Sequence, residues 1–251
     1  MILSQSELNS CVSGKLGNPH AFLGLHSLGA KKGLVARAID PLAEKVFIIN
    51  RETKDIFPLF KIHPDGLFEG EILSLGGPFS YGFRSVRDGV EVDWDDPYGF
   101  SPHIQNHDLA DFNLGTERRP FDKLGSFPSR KRGVDGVAFV LWAPSALSVH
   151  VTGDFNQWNP ISLPMRALGS SGCREIFVPE AKVGQKYKYR VQGADGVIRE
   201  KTDPFGSKFE SPPGNASIIH SPDFSSRGRG EHIIPNMCSK PFTIYEMHLG
   251  S

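Results

Sequence analysis

The residues of this chain that could do chemistry are spaced in ways that exclude most of it. Asp95 and Asp96 precede Pro97, and Asp203 precedes Pro204, with no second carboxylate set opposite them by spacing, so turn formation is expected of them rather than acid–base work. His103 and His107 are four residues apart, but the segment around them has no helical pattern and offers no third ligand, so no metal site is expected. No serine sits in a GxSxG setting and no glycine-rich phosphate loop is present. Cys11, Cys173 and Cys238 are odd in number, far apart and without CxxC spacing, which argues against a disulfide framework and a zinc site and for a reducing, cytoplasmic compartment. No catalytic residue, metal or cofactor is expected from these groups.

A binding chemistry is better supported. LSVHVTGDF alternates Leu147, Val149 and Val151 with Ser148, His150 and Thr152, the pattern of a half-buried strand that ends at Gly153. Gly153, Asp154 and Asn156 suit the special backbone angles of a turn, which leaves Phe155 and Trp158 as large flat rings beside it. A flat ring on a sheet can cover the apolar face of a pyranose while neighbouring polar groups bond its hydroxyls, so Trp158 is the first candidate; packing of the sandwich corner is the alternative. In KYKYRV, Lys188 falls on the opposite face from Tyr187 and Tyr189, which are expected in the core, as is Trp142.

The elements that must hold these residues are short and mostly extended. Across 251 residues, 27 glycines and 19 prolines with 39% hydrophobic and 22% charged residues point to a turn-rich, all-β globular chain of two domains. Only the first dozen residues read as helix, with Ser4 or Ser6 as cap, Leu3, Leu8 and Val12 near one face, and Gly14 and Gly17 as terminators. Strands are expected over Leu34–Ile39, Lys45–Asn50, Leu67–Leu73 and Phe79–Val86. The later half repeats the earlier one: Pro41, Ala43 and Val46 fall on Pro144, Ala146 and Val149, Tyr81 and Phe83 on Tyr187 and Tyr189, and DPYGF from Asp96 on DPFGS from Asp203. The 28 basic residues balance the 28 acidic ones, which gives a net charge of zero and no electrostatic case for nucleic acid or an acidic membrane. The N-terminus lacks a signal-peptide pattern and no segment is long enough to span a bilayer, so a soluble intracellular protein is expected.

GDFNQW at Gly153–Trp158, preceded by WAPSA at Trp142, resembles the starch- and glycogen-binding modules of carbohydrate-binding module family 48 in the α-amylase superfamily. With NPHAFLGLH at Asn18–His26, IHPDGLFEG at Ile62–Gly70, DDPYGF at Asp95–Phe100, KTDPFG at Lys201–Gly206 and TIYEMHLGS at Thr243–Ser251, the chain resembles the N-terminal half of bacterial 1,4-α-glucan branching enzymes. The resemblance implies two tandem immunoglobulin-like antiparallel β-sandwiches with a short N-terminal helix, followed by a stub resembling the first strand of a (β/α)₈ barrel. Its divisions would be 1–115, 116–225 and 226–251.

The implied activity is transfer of an α-1,4-glucan chain to a 6-hydroxyl by a retaining mechanism without a cofactor, which needs an Asp nucleophile and a Glu acid/base about 5 Å apart. In the family these come from later barrel strands, and FTIYEMHLGS resembles the first, so a non-catalytic N-terminal part is expected, one that packs on a barrel and binds α-glucan as glycogen or linear maltooligosaccharide. The resemblance assigns Trp158 and Lys188 to the glucan site, whereas the second tryptophan of the family's clamp is replaced near Val197 and Ile198. A free-standing glucan-binding or regulatory protein, or a debranching or trehalose-releasing relative, are the other readings of the same motifs.

Overall fold

The computed structural model describes residues 5–29, 33–73 and 77–221. The barrel-strand-like Phe242–Leu249, the RGRG run at Arg227–Gly230 and Cys238 lie outside the described residues. The first part holds α1 (Gln5–Val12), β1 (Gly24–Ser27), β2 (Leu34–Ile39), β3 (Lys45–Asn50), β4 (Ile56–His63), β5 (Leu67–Ile72), β6 (Tyr81–Arg87) and β7 (Val90–Trp94). After α2 (Asn106–Leu114) come β8 (Gly125–Lys131), β9 (Val134–Trp142), β10 (Ser148–Gly153), β11 (Arg166–Ala167), β12 (Cys173–Pro179), β13 (Lys186–Gln192), β14 (Ile198–Lys201) and β15 (Ser217–Ile218).

Strands β1 to β7 form one antiparallel sheet in the order β1-β2-β5-β4-β3-β6-β7, with a register shift in β4 between Lys61 and His63. The sheet curls so that its own inner face closes a core of Leu34, Ala36, Val46, Ile48, Phe68 and Phe83. The later strands make two sheets, β10-β13-β14 with β15 on β13, and β11-β12-β9-β8. Between them lie Val137, Phe139, Val149, Val151, Ile176, Tyr187 and Tyr189. Each such buried ring or branched side chain contributes roughly 1.5–3 kcal/mol against solvent exposure.

The repeat extends to the polar wiring. In the first copy the buried Asp96 accepts the Tyr98 N–H at 3.0 Å on one carboxylate oxygen and the Tyr81 hydroxyl at 2.6 Å on the other. In the second, Asp203 accepts the Phe205 N–H at 2.8 Å and the hydroxyls of Tyr187 and Tyr189 at 2.7 and 3.2 Å. The lead into each copy also matches: a 3₁₀ turn at Pro19–Ala21 and at Pro120–Asp122 runs into Gly24 and Gly125, both at positive φ, +94° and +124°. A Cβ on Gly24 would stand 2.9 Å from the Tyr81 hydroxyl oxygen, so the close approach requires glycine.

Three expectations are corrected. The segment around His103 and His107 contains α2, whose ends rather than its period define it: the Asp108 carboxylate accepts the Gln105 N–H at 3.1 Å, and Gly115 at φ +67° closes the other end. Only Leu109 and Phe112 of this helix pack inward, against Val140 of β9, which is too few to show a pattern. Trp142 is not core. It lies on the other parity from Val137, Phe139 and Leu141, is 52% exposed, and its indole N–H donates to the Ser171 carbonyl at 3.1 Å. Leu147, read as facing inward, is exposed, because β10 begins one residue later.

The two carboxylates differ in redundancy, since Asp203 has two tyrosine donors and Asp96 has one. Tyr81→Phe is expected to cost about 1–3 kcal/mol by urea unfolding, and Tyr187→Phe less, because Tyr189 still donates to Asp203.

Candidate functional site

Strand β10 runs into a single 3₁₀ turn, Asp154–Asn156, whose side chains build the structure that follows. Asn156 accepts the Gly153 N–H at 2.8 Å and donates to the Ser162 hydroxyl at 2.8 Å, tying both ends of the turn together. The left-handed angles fall later than the sequence suggested, on Gln157 at +53° and Trp158 at +58°. Gly153 is extended, and glycine is needed there because a Cβ would come 2.2 Å from the Lys186 carbonyl oxygen.

A bulky residue in the left-handed region costs about 1–2 kcal/mol. Trp158 is kept there by its N–H to the Gly153 carbonyl at 2.9 Å and by its indole N–H to Asp154 Oδ1 at 3.0 Å. The other oxygen of Asp154 accepts the Lys186 N–H of β13 at 2.8 Å. One carboxylate thus fixes the ring to the sheet by its edge, and 39% of Trp158 stays exposed.

Cross-strand register places Ser148 opposite Gln192, His150 opposite Arg190 and Thr152 opposite Lys188, all on the face away from Tyr187 and Tyr189. Lys188, half-buried, is therefore on the outer face as expected. The outer face is not open along its length, however: Ser148, His150 and Thr152 are buried, so β10 is covered on both sides rather than one. The end of α1 and the loop after Trp158 lie over it. A Cβ on Gly14 would stand 2.4 Å from His150 Nε2, and Arg190 donates to the Pro160 carbonyl at 2.9 Å. Burial pushes His150 down to about 4, and its Nε2 has no hydrogen-bond partner among the described residues. At the other side, Val197 and Ile198 stand about half exposed at the start of β14, an aliphatic surface.

One buried cluster was missed by sequence reasoning. Glu175 Oε1, in the centre of β12, accepts the His103 N–H at 2.7 Å and lies 3.3 Å from Arg166 Nη2, while Lys131 Nζ donates to the Ser101 carbonyl at 2.7 Å. Arg166 also donates to the Phe100 carbonyl at 3.1 Å. These charges anchor the segment between the copies onto the second sandwich. The signal was a glutamate leading directly into the apolar run Ile176–Val178 of a strand, a position that demands a partner if it is buried. His103 stacks on Phe127 and His107 is exposed beside Asp108; among the described residues no group of three His, Cys, Asp or Glu could hold a metal. Asp95 pairs with Arg51, and Asp96 and Asp203 cap turns, as read from the sequence. Cys11 and Cys173 are free and buried. No helix among the described residues is long and apolar enough to cross a membrane.

The chain is thus built of two packed β units, the second holding a part-exposed tryptophan on the turn after β10. Residues 123–206 match Carbohydrate-binding module 48 (Isoamylase N-terminal domain), and residues 4–98 match the alpha-1,4-glucan branching enzyme GlgB, N-terminal domain. The chain is 38% identical over 246 residues to 1,4-alpha-glucan branching enzyme GlgB of Rhodopseudomonas palustris, covering 98% of this chain and 34% of that protein. The protein of the same name from Agrobacterium fabrum is 36% identical over 256 residues, again covering 34% of its length. The two family models and these relatives match the chain to the N-terminal region of 1,4-alpha-glucan branching enzymes, and it spans about a third of the length of the curated relatives it matches. A pullulanase from an Anoxybacillus species, complexed with maltotetraose, superposes on 79% of this chain and 26% of its own at 14% identity and TM-score 0.35, a likeness too loose to bear on the site.

If Trp158 is held open rather than packed as core, Trp158→Gly should leave the urea midpoint unchanged or raised, where a core tryptophan would cost about 3–5 kcal/mol. Depression of His150 from 6.5 to about 4 means that the folded state binds fewer protons than the unfolded one across that window. Stability tied to His150 is therefore lost as pH falls through it. Between pH 7 and 5 the fall in unfolding free energy should be smaller in His150→Gln than in the parent by about 2 kcal/mol.

Proposed function

We propose that this chain is the non-catalytic N-terminal part of a cytoplasmic 1,4-α-glucan branching enzyme, where it assists α-1,6 branch formation in glycogen synthesis by holding an α-glucan. The carrying observation is Trp158, kept at φ +58° with its indole edge pinned by Asp154 and its ring still open. Left-handed backbone at a large aromatic is maintained where the surroundings over-determine it, and such strain concentrates at binding sites.

The exposed ring stacks on the apolar face of a glucose unit, and Lys188 on the adjacent outer face donates to its hydroxyls. With Val197 and Ile198 in place of a second ring, the clamp is one-sided, which suits guiding a chain toward a catalytic barrel better than retaining it. No cofactor is called for by this role. Buried free cysteines are compatible with a reducing compartment. The gap between the strand sets supports a division near residues 115/116; on this reading 226–251 are a linker and a first barrel strand, and the packing partner is a catalytic barrel that this chain does not carry.

Affinity electrophoresis in glycogen-containing gels checks this reading. The parent chain should be retarded, Trp158→Ala should lose at least tenfold in apparent affinity, about 1.4 kcal/mol, and Lys188→Ala should fall between. Equal mobility of parent and Trp158→Ala, with and without glycogen, would remove the platform from the function.

A further inference from the structure

We propose that the cleft between the two β repeats is a second α-glucan subsite, one that takes a short stretch of linear chain; this rests on the reading that the chain handles α-glucan. The cleft has a volume of about 660 Å³. Sites for small ligands run from about 300 to 1,000 Å³. One wall comes from the first repeat and one from the turn after β10 and the end of β12.

The walls are preformed. Pro41, Pro64 and Pro97 line the cleft from the first repeat, and Pro164 and Pro179 from the second, so fixed backbone angles bound it on both sides. A rigid cavity spares the ligand the ordering cost of closing it. Each repeat also presents aromatic side chains, Trp94 and Tyr98 from the first and Phe155 from the second, all partly exposed.

Most charged groups at the cleft are already satisfied: Arg87 bonds Asp40, Asp95 pairs with Arg51, and Asp96 accepts Tyr81. Two are not. The side chain of Asp65 is 70% exposed with only His63 near, at 3.7 Å, and the side chain of Glu180 makes no hydrogen bond or ion pair among the described residues. Glu180 is also in the left-handed region at φ +63°, as is Leu163 at +57°, which lines the same cleft. One free carboxylate from each repeat, beside aromatic rings from both, is the chemistry that recognises a neutral polyhydroxylated ring: hydroxyls donate to the carboxylates and C–H faces lie on the rings. The same carboxylates oppose an anionic ligand. Continuity with the platform favours a glucan in particular, because Trp158 immediately precedes Asn159 in the chain, and Asn159 lines the cleft.

The test is a titration of the whole chain with maltoheptaose, read by intrinsic tryptophan fluorescence, in the parent, Trp158→Ala, Asp65→Asn/Glu180→Gln, and the combined variant. Thermal midpoints would confirm that all are folded; the carboxamide changes are at exposed positions, Asp65 with only the distant His63 contact and Glu180 with none, and should leave them unmoved. Trp158→Ala is expected to keep one saturable response, and the combined variant to bind at least tenfold more weakly. A response that vanishes in Trp158→Ala alone would overturn the cleft and leave the platform standing. So would a response in Trp158→Ala that the carboxamide pair leaves unchanged. Binding abolished by the carboxamide pair but untouched by Trp158→Ala would sustain the cleft and overturn the platform, and no binding by the parent would overturn both.

Discussion

A carboxylate taken out of water next to a proline turn is the constraint on which both halves of this structure depend. Asp96 and Asp203 are almost wholly buried, and burial raises both, Asp96 to about 6. Each is tolerable only because one oxygen receives a turn N–H and the other a tyrosine hydroxyl from the last long strand of its copy. That arrangement fixes where β6 and β13 meet the chain leaving the sandwich. It also fixes how closely the first strand can approach, through Gly24 in one copy and Gly125 in the other. The exit segment of the first copy then has a defined direction, and Glu175, Arg166 and Lys131 fasten it to the second.

The copies differ most where the second one carries its platform. In the first, β3 is followed by the eight-residue β4, which pairs with both β3 and β5. In the second, the corresponding strand has shrunk to Arg166–Ala167, and the Asp154–Leu163 turn occupies the chain between it and β10. The ladder is not lost altogether, since Met165 N–H still bonds the Val149 carbonyl at 2.8 Å. A sheet edge has been exchanged for a tryptophan pinned by its edge and left part-exposed.

The all-β class, four of the seven strands of the first copy, the core tyrosines and the order of landmarks in the repeat were legible in the sequence, because period-two alternation and Pro-Gly punctuation report directly on buried faces and turns. The position of Trp158 after the turn was legible too. What failed did so for reasons of context. Parity from Val137 assigns Trp142 outward, but its size suggested burial. A nine-residue helix with two inward residues has no period to read. The outer face of β10 looked solvent-exposed because nothing local reveals that Gly14, more than a hundred residues earlier, lies on His150. Cross-copy contacts such as this one, and the buried Glu175 anchor, are properties of the assembled fold.

The matching of carboxylate, tyrosine, proline turn and lead-in glycine in both halves has a historical consequence. Two folds that merely converged on a sandwich would share strands but would have no reason to share the same buried acid on the same turn. Descent from one ancestral domain by tandem gene duplication accounts for it, with the interior retained and one surface loop rebuilt. After such an event, one copy could acquire a new loop while the other preserved the older edge strand, so the first half of the chain is the better record of what the second half once was.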